Sequence, residues 1–371
     1  MEFNRYKTID DASVDAEAWD ALASNSETNT IFQTFEWFSC WWETCGEEFE
    51  LTLIVGKEHG SIRLIAPFML DKQRFGKRVI RFVGDINSDY CDILARGDKE
   101  VLIGQMFDWL LESHIEFDSI ELKNVPSQSS TSAILKRITE RKNLYSIEER
   151  DVLAPTMLIQ DHEDFVKKTI SKYSVKRPYN KLTRCGHVKY LIPNLDDTNI
   201  DTYLKDFFNQ HRLRYSEKNI RSLFFSNKYK KFYMSLVKTM SKKRWVHFSI
   251  LELDDKPIAY HFGFVYNNSF IWYKPSFDIS FKEYSPGAVL LRLLIQDALK
   301  QHLGEFDFAL GSEAYKDRYC NFVKRNENIY IFDSRPKYIF AQQKRQALGL
   351  LKKAIGPLLH SIRAHYSHAH K

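Results

Sequence analysis

The 371-residue sequence has no CxxC pair, no long apolar run and no basic-then-apolar leader. Its five cysteines, Cys40, Cys45, Cys91, Cys185 and Cys320, are odd in number and scattered, with no histidine at metal-ligand spacing. That argues against structural zinc and for a reducing cytoplasm, so no metal is expected. No window approaches the roughly eighteen apolar residues of a membrane span, and neither secretion nor a transmembrane helix is expected. A nucleophile signature and an RNA-binding motif are also missing, which removes the simplest covalent-catalysis and nucleic-acid readings.

What is present suits two or three packed domains, with 44% hydrophobic residues. The net charge of +6 is unevenly spread. Phe165 to Lys189 holds eight Lys or Arg and no acid, and Arg335 to Lys371 holds another eight and none, so the remainder carries −10. Two basic blocks on an acidic body suit phosphates, lipid head groups or nucleic acid, or act only as solvated faces.

Helical and strand signals alternate along the chain. Phe35, Phe38, Trp41 and Trp42 form one apolar helical stripe before Gly46 and read as core. "FELTLIVG", "SIRLIAPFML" and "RVIRFVG" read as strands, "KEVLIGQMFDWLLESH" as a helix, "FDSIELKNVP" as a strand and "STSAILKRITERKN" as a helix. Pro178 is expected to break or kink any helix in the basic segment. Two more helical stretches precede "WVHFSILELDDKPIAYHFGFVYNNSFIWYKPSF", three strands joined by turns at "LDDKP" and "YNNS". The order of helices, meander, helix and strand occurs twice. An α/β (α+β) protein with two similarly folded domains is expected, over 1–155 and 156–334, followed by a basic amphipathic tail over 335–371.

The segment "YSPGAVLLRLLIQDALKQHLGEFDFALGSEAYKDRY" (284–319) carries the chemistry. Ser285, Pro286 and Gly287 sit at a helix start, where Ser285 can cap, Pro286 fits the first turn and free N–H groups can seat a pyrophosphate. A well-capped core helix is the plainer reading. Asp307 lies in an otherwise apolar strand and needs a partner. Gly311 ends that strand, and Glu313, Tyr315 and Lys316 gather titratable groups beside the proposed ligand turn.

"YSPGAVLLRLLIQDAL", "FDFALGSEAYKDRY" and "KPIAYHFGF" resemble the GNAT superfamily of acyltransferases, most closely its BioF-like or CelD-like acetyltransferase branch, a neighbour of the FemABX peptidyltransferases. "FNQHRLRY", "IFQTFEWFSCWWETCG", "LIAPFML" and "DYCDIL" support the resemblance, which extends to about residue 332. It implies tandem GNAT-like domains, each a mixed, mostly antiparallel sheet flanked by helices. It also implies an acyl-CoA site in the second domain, with acetyl-CoA or another acyl-CoA as co-substrate and no permanently bound cofactor. Tyr273, Ser285, Pro286, Gly287, Ala288 and Val289 would hold the donor. The turn departs from the superfamily's double-glycine loop, keeping one glycine and adding a proline, so an aminoacyl-tRNA donor stays open.

In that reading the acceptor, an amine or hydroxyl of a small molecule or of a polysaccharide or cell-envelope precursor, attacks the thioester directly in a ternary complex. Backbone N–H groups of "SFIWYKPSF" stabilise the oxyanion. His261, Asp307 and Glu313 are the base candidates, Tyr315 protonates the departing thiolate, and Lys316 binds phosphate or pairs with Glu313. His211, Arg212 and Gly311 line the acceptor cleft. His261 also reads as a core histidine, and His211 with Arg212 as a helix-surface pair. Asp89 and Asp92 read as structural or acceptor-cleft residues, not a metal pair. A cytoplasmic enzyme is expected, with peripheral contact to the inner membrane face through Leu348, Leu351, Ile355, Leu358, Leu359 and Ile362. A tRNA-dependent peptidyltransferase and a non-catalytic anion- or nucleic-acid-binding module are the alternatives.

Overall fold

The computed structural model describes residues 1–350 apart from 11–13, 15, 74–75, 198 and 348–349. The first set of elements is β1 (Glu2–Tyr6), α1 (Ala16–Ser24), α2 (Phe35–Cys45), β2 (Glu50–Glu58), β3 (Ser61–Lys72), β4 (Arg78–Phe82), β5 (Leu94–Ala95), α3 (Lys99–Glu112), β6 (Ser119–Pro126), α4 (Thr131–Arg141) and β7 (Tyr145–Leu158). The second is α5 (Glu163–Ser171), α6 (Tyr173–Leu182), β8 (Val188–Leu191), α7 (Ile200–Glu217), α8 (Asn227–Met240), β9 (Val246–Leu253), β10 (Lys256–Tyr266), β11 (Ser269–Phe277), α9 (Pro286–Lys300), β12 (Glu305–Asp307) and β13 (Phe322–Phe332).

Local chemistry explains the boundaries. The Thr34 hydroxyl caps α2 by accepting from Trp37 N, and Asp98 caps α3 by accepting from Val101 N. Asp254 and Asp255 (φ 49° and 61°) and Asn267 and Asn268 (φ 45° and 61°) form the two left-handed turns that join β9, β10 and β11.

All strands join one mixed, mostly antiparallel sheet, ordered β1-β2-β3-β4-β6-β13-β7-β12-β11-β10-β9-β8, with β5 alongside β3. A pattern recurs within it. β4 and β6 pair in parallel across α3, and β11 and β12 pair in parallel across α9. The last strand of each set crosses over: β13 pairs with β6, and β7 pairs with β12, so β13 and β7 lie side by side at the centre.

One core lies under α3 and α4, and a second under α5, α6 and α9. A third, aromatic core fills the opposite face and spans both halves beneath α1, α2, α7 and α8, where Trp37 meets Phe232 edge-on at 5.1 Å.

Three expectations change. The basic segment does break, but at Lys172 (ψ 139°) between α5 and α6, and α6 runs through Pro178. "FDFALG" is strand only to Asp307, because Ala309 (φ 60°) and Gly311 (φ 124°) turn the chain away. In the C-terminal block a helix covers 335–347, while the apolar face expected from Leu348 to Ile362 lies outside the described residues, save position 350. Among the described residues no helix is long and apolar enough to cross a membrane.

Candidate active site

β11 and β12 pair over three residues only, Ser269 with Glu305, Phe270 with Phe306 and Ile271 with Asp307. Beyond Ile271 the strands part. A bulge on β11 helps to turn it: Trp272 and Tyr273 together oppose Gly263 of β10. A Cβ on Gly263 would lie 2.3 Å from the Ile271 carbonyl oxygen, so the bulge requires glycine. His261 Nε2 accepts from Tyr273 N at 3.3 Å, and its ring stacks on Trp272 at 4.4 Å. Burial holds its pKa well below the ordinary value, with His247 adding to the effect. His261 is thus a neutral brace inside the core beside α9 and does not face the gap.

The start of α9 lies at the far end of β11. Ser285 is left-handed (φ 53°) and makes no side-chain cap; instead its carbonyl takes the N–H groups of Ala288 and Val289. This corrects the expected N-cap and leaves the Gly287 N–H as the open donor of the first turn, since Pro286 has none. A Cβ on Gly287 would sit 3.3 Å from the Phe277 ring. Above that ring lies the Arg214 guanidinium, 4.4 Å from its centroid, donating to the Pro275 carbonyl at 2.8 Å. Lys181 of α6 reaches the same end and donates to Glu283 O. Val289 is buried core, and Tyr273 turns to the opposite face, where its hydroxyl donates to Asn87 O.

The gap gathers charge from three segments. Lys274, half-buried on β11, lays its ammonium 3.8 Å over the Tyr273 ring and makes no hydrogen bond among the described residues. Burial lowers its pKa, against the pull of nearby Asp89 and Glu313. Asp89, from the loop after β4, accepts among the described residues only a long 3.4 Å bond from Leu310 N to its carboxylate. Burial pushes its pKa up to about 6, Lys274 opposing and Asp307 reinforcing the rise. Lys316 is buried and fills its donors with the carbonyls of Ala309, Leu310 and Gly311 and with Glu313 at 2.8 Å. It anchors the loop in this state. Gly311 suits that turn because its φ of 124° is one that other residues rarely adopt. Tyr315, on the α9 side, accepts from Trp272 Nε1 at 3.0 Å, and burial raises its pKa to about 12.

Asp307 is saturated: it accepts from Tyr90 Oη, Ala309 N and Lys324 Nζ at 2.7, 2.8 and 3.0 Å. Such a carboxylate positions the loop. His211 is buried against Tyr215 and hydrogen-bonded to Ser222, with its pKa pushed down to about 3 by burial, then by Lys274 and Arg214. Arg212 points elsewhere, over Phe225. The residues brought to the gap are therefore Asp89, Lys274, Glu313, Tyr315 and Lys316, with Arg214 linking it to α9. Sequence reasoning missed Lys274 and Arg214. The second was within reach, since i and i+3 share a helix face and Arg214, not Arg212, lies beside His211. Asp92 leaves Asp89 altogether, held by Lys99, Ser129 and Thr131.

The acetyltransferase (GNAT) domain family matches residues 171–317, which contain β11, α9, β12 and the loop to Lys316. Solved structures agree over nearly the whole length. FemX superposes with a TM-score of 0.65 at 9% identity, covering 92% of this chain and 99% of that one. The chain shares the fold of FemX, and the stretch similar to the GNAT domain family is residues 171–317. A conserved protein of unknown function from Bacteroides thetaiotaomicron gives a TM-score of 0.59 at 12% identity, covering 90% of this chain and 100% of that one. L-PGS from Bacillus licheniformis gives 0.53 at 10% identity, covering 92% and 97%. No curated protein matches. Within the matched residues the parted parallel strands are β11 and β12, and the helix that follows the first of them is α9.

Proposed function

We propose that the protein is an acyltransferase that moves an acyl group, acetyl in the simplest case, from acyl-CoA to an amine or hydroxyl. The observation that carries this reading is the parting of β11 from β12 after three pairs, with the start of α9 at the far end of β11. The donor's pyrophosphate lies against Gly287 N–H with Arg214 beside it, and its thioester enters the gap from the α9 side. Amides on the edge of β11 beyond Ile271 meet the thioester oxygen.

The acceptor nitrogen or oxygen attacks the carbonyl carbon, a new C–N or C–O bond forms and the C–S bond breaks. Asp89, raised to about 6 and nearly free of hydrogen bonds, takes the acceptor's proton. Tyr315 returns a proton to the thiolate. The two halves are read as GNAT-like units of which the second holds the donor. A charged tRNA is the second donor reading, favoured by the basic helix α6 beside the start of α9.

Release of free CoA from acetyl-CoA across a panel of amines and hydroxyls tests the reading. Acceptor-dependent release is expected to rise with pH through about 6 and to fall about 100-fold in Asp89→Asn. Release that ignores both pH and Asp89→Asn would reject Asp89 as base, and turnover with charged tRNA alone would replace the CoA reading.

A further inference from the structure

On the sheet face opposite α9, directly over the short β11–β12 ladder, lies a cavity of about 270 Å³. Its position follows from alternation. Phe270 and Phe306 point into the core beneath α9, so their neighbours Ser269, Ile271, Glu305 and Asp307 point the other way, and all four line the cavity. The first half of the chain closes it through the 27–30 segment, Tyr90 and Gln128. The donor and this cavity would thus meet from opposite faces where the strands part. The inference rests on the acyltransferase reading for its role, while the chemistry of the cavity stands by itself.

The charge in it does not balance. Glu305 and Asp307 share one ammonium, Lys324, at 2.5 and 3.0 Å. Asp307 has two further donors, but Glu305 Oε2 accepts nothing among the described residues. Glu27, also at the wall, shares Lys99 with the buried Asp92, at 3.0 and 3.1 Å. The acids thus outnumber the ammoniums around a small, partly enclosed space, which favours a cation there. Around it the lining mixes Tyr90, Pro126, Tyr266 and Ile271 with the amide groups of Asn29, Gln128 and Asn267, and the buried Ser269 hydroxyl has no partner among the described residues.

We infer that this cavity is the acceptor site and takes a small, hydroxyl-rich molecule bearing a protonated primary amine, such as an amino sugar. Glu305 holds the ammonium, the amide and hydroxyl groups hold the hydroxyls, and the volume limits the bound portion to about one sugar ring. The same amine gives up a proton before attack, and Asp89, the residue before Tyr90 of the cavity wall, is placed to receive it.

The test uses two pairs of matched probes on the full chain: glucosamine against glucose, and serinol against glycerol, with binding read by saturation-transfer NMR. In both pairs the amine is expected to bind about tenfold more tightly, the size of one charge-assisted contact. Glu305→Gln is expected to erase that preference while leaving acetyl-CoA affinity as it is. Should Glu305→Gln fail to fold, the wild type alone decides: its amine preference is expected to shrink as salt concentration rises, and a salt-independent preference would count against Glu305. No amine preference in either pair, or a preference that survives Glu305→Gln, overturns the inference. A preserved amine preference in a protein that ignores acetyl-CoA would remove the acyltransferase reading and keep the cavity; acetyl-CoA binding without amine preference would do the reverse.

Discussion

The Tyr90 hydroxyl donates to Asp307 Oδ2 at 2.7 Å, joining a loop of the first half to β12 of the second. Lys324 of β13 meets the same oxygen at 3.0 Å. One buried carboxylate thus ties three segments at the base of the gap.

Its removal should be costly. Asp307→Ala leaves a buried ammonium and phenol unpaired and is expected to lower unfolding free energy by about 3 kcal/mol. Tyr90→Phe, which deletes one neutral donor, should cost about 1 kcal/mol. Urea unfolding of the two variants checks the order, and equal losses would mean that Lys324 gains little from Asp307.

Arg214 and Arg212 differ by two positions and should differ in function. Arg214 lies over Phe277 next to Gly287, whereas Arg212 lies over Phe225. Arg214→Leu is expected to weaken acetyl-CoA binding about tenfold or more, the loss of one charge-assisted phosphate contact. Arg212→Leu should leave it unchanged. The reverse pattern in calorimetry would move the pyrophosphate away from α9.

Acid should destabilise the protein through its buried histidines. Burial holds His211 at about 3, His247 at about 4 and His261 well below the ordinary value. Their folded pKa values lie below the unfolded value of about 6.5, so the stabilisation is complete above that pH and is lost as pH falls toward 4. Thermal midpoints should drop between pH 7 and pH 5, and less steeply in His261→Gln. A flat profile would show that these rings are open to protons.

Gly263→Ala tests the bulge. Its Cβ would overlap the Ile271 carbonyl and the His261 ring, so the Trp272–Tyr273 bulge must rearrange. A loss of about 2 kcal/mol or more is expected from that overpacking, together with weakened acetyl-CoA binding. Full affinity in the variant would mean that the bulge does not shape the gap.

Much of this architecture was legible in the sequence because its signals are local. Paired Asp and Asn residues announced both hairpins, and Ser-Pro-Gly before an apolar stripe announced α9. Strand β7 was not legible. Its "YSIEERDV" places Glu148 and Glu149 in a central strand, where the polar face borders a groove shared with Tyr330 and Arg345 and so shows no apolar alternation. The site was half legible. Glu313, Tyr315 and Lys316 follow the strand within a few residues, but Asp89 reaches the gap from more than two hundred residues away. Asp307 looked like a base because a lone acid in an apolar strand needs partners. Those partners, Tyr90 and Lys324, come from two other segments and hold it as a tie between them.

The central claim is that an acyl-CoA sits across the β11–β12 gap with its pyrophosphate at the start of α9. Calorimetric titration of acetyl-CoA into the wild-type protein and into Gly287→Trp, with the fold of each checked by circular dichroism, tests it most directly. Saturable binding by the wild type and none by the folded variant is the predicted result. Absence of binding by the folded wild type, or equal binding by both proteins, would contradict the claim.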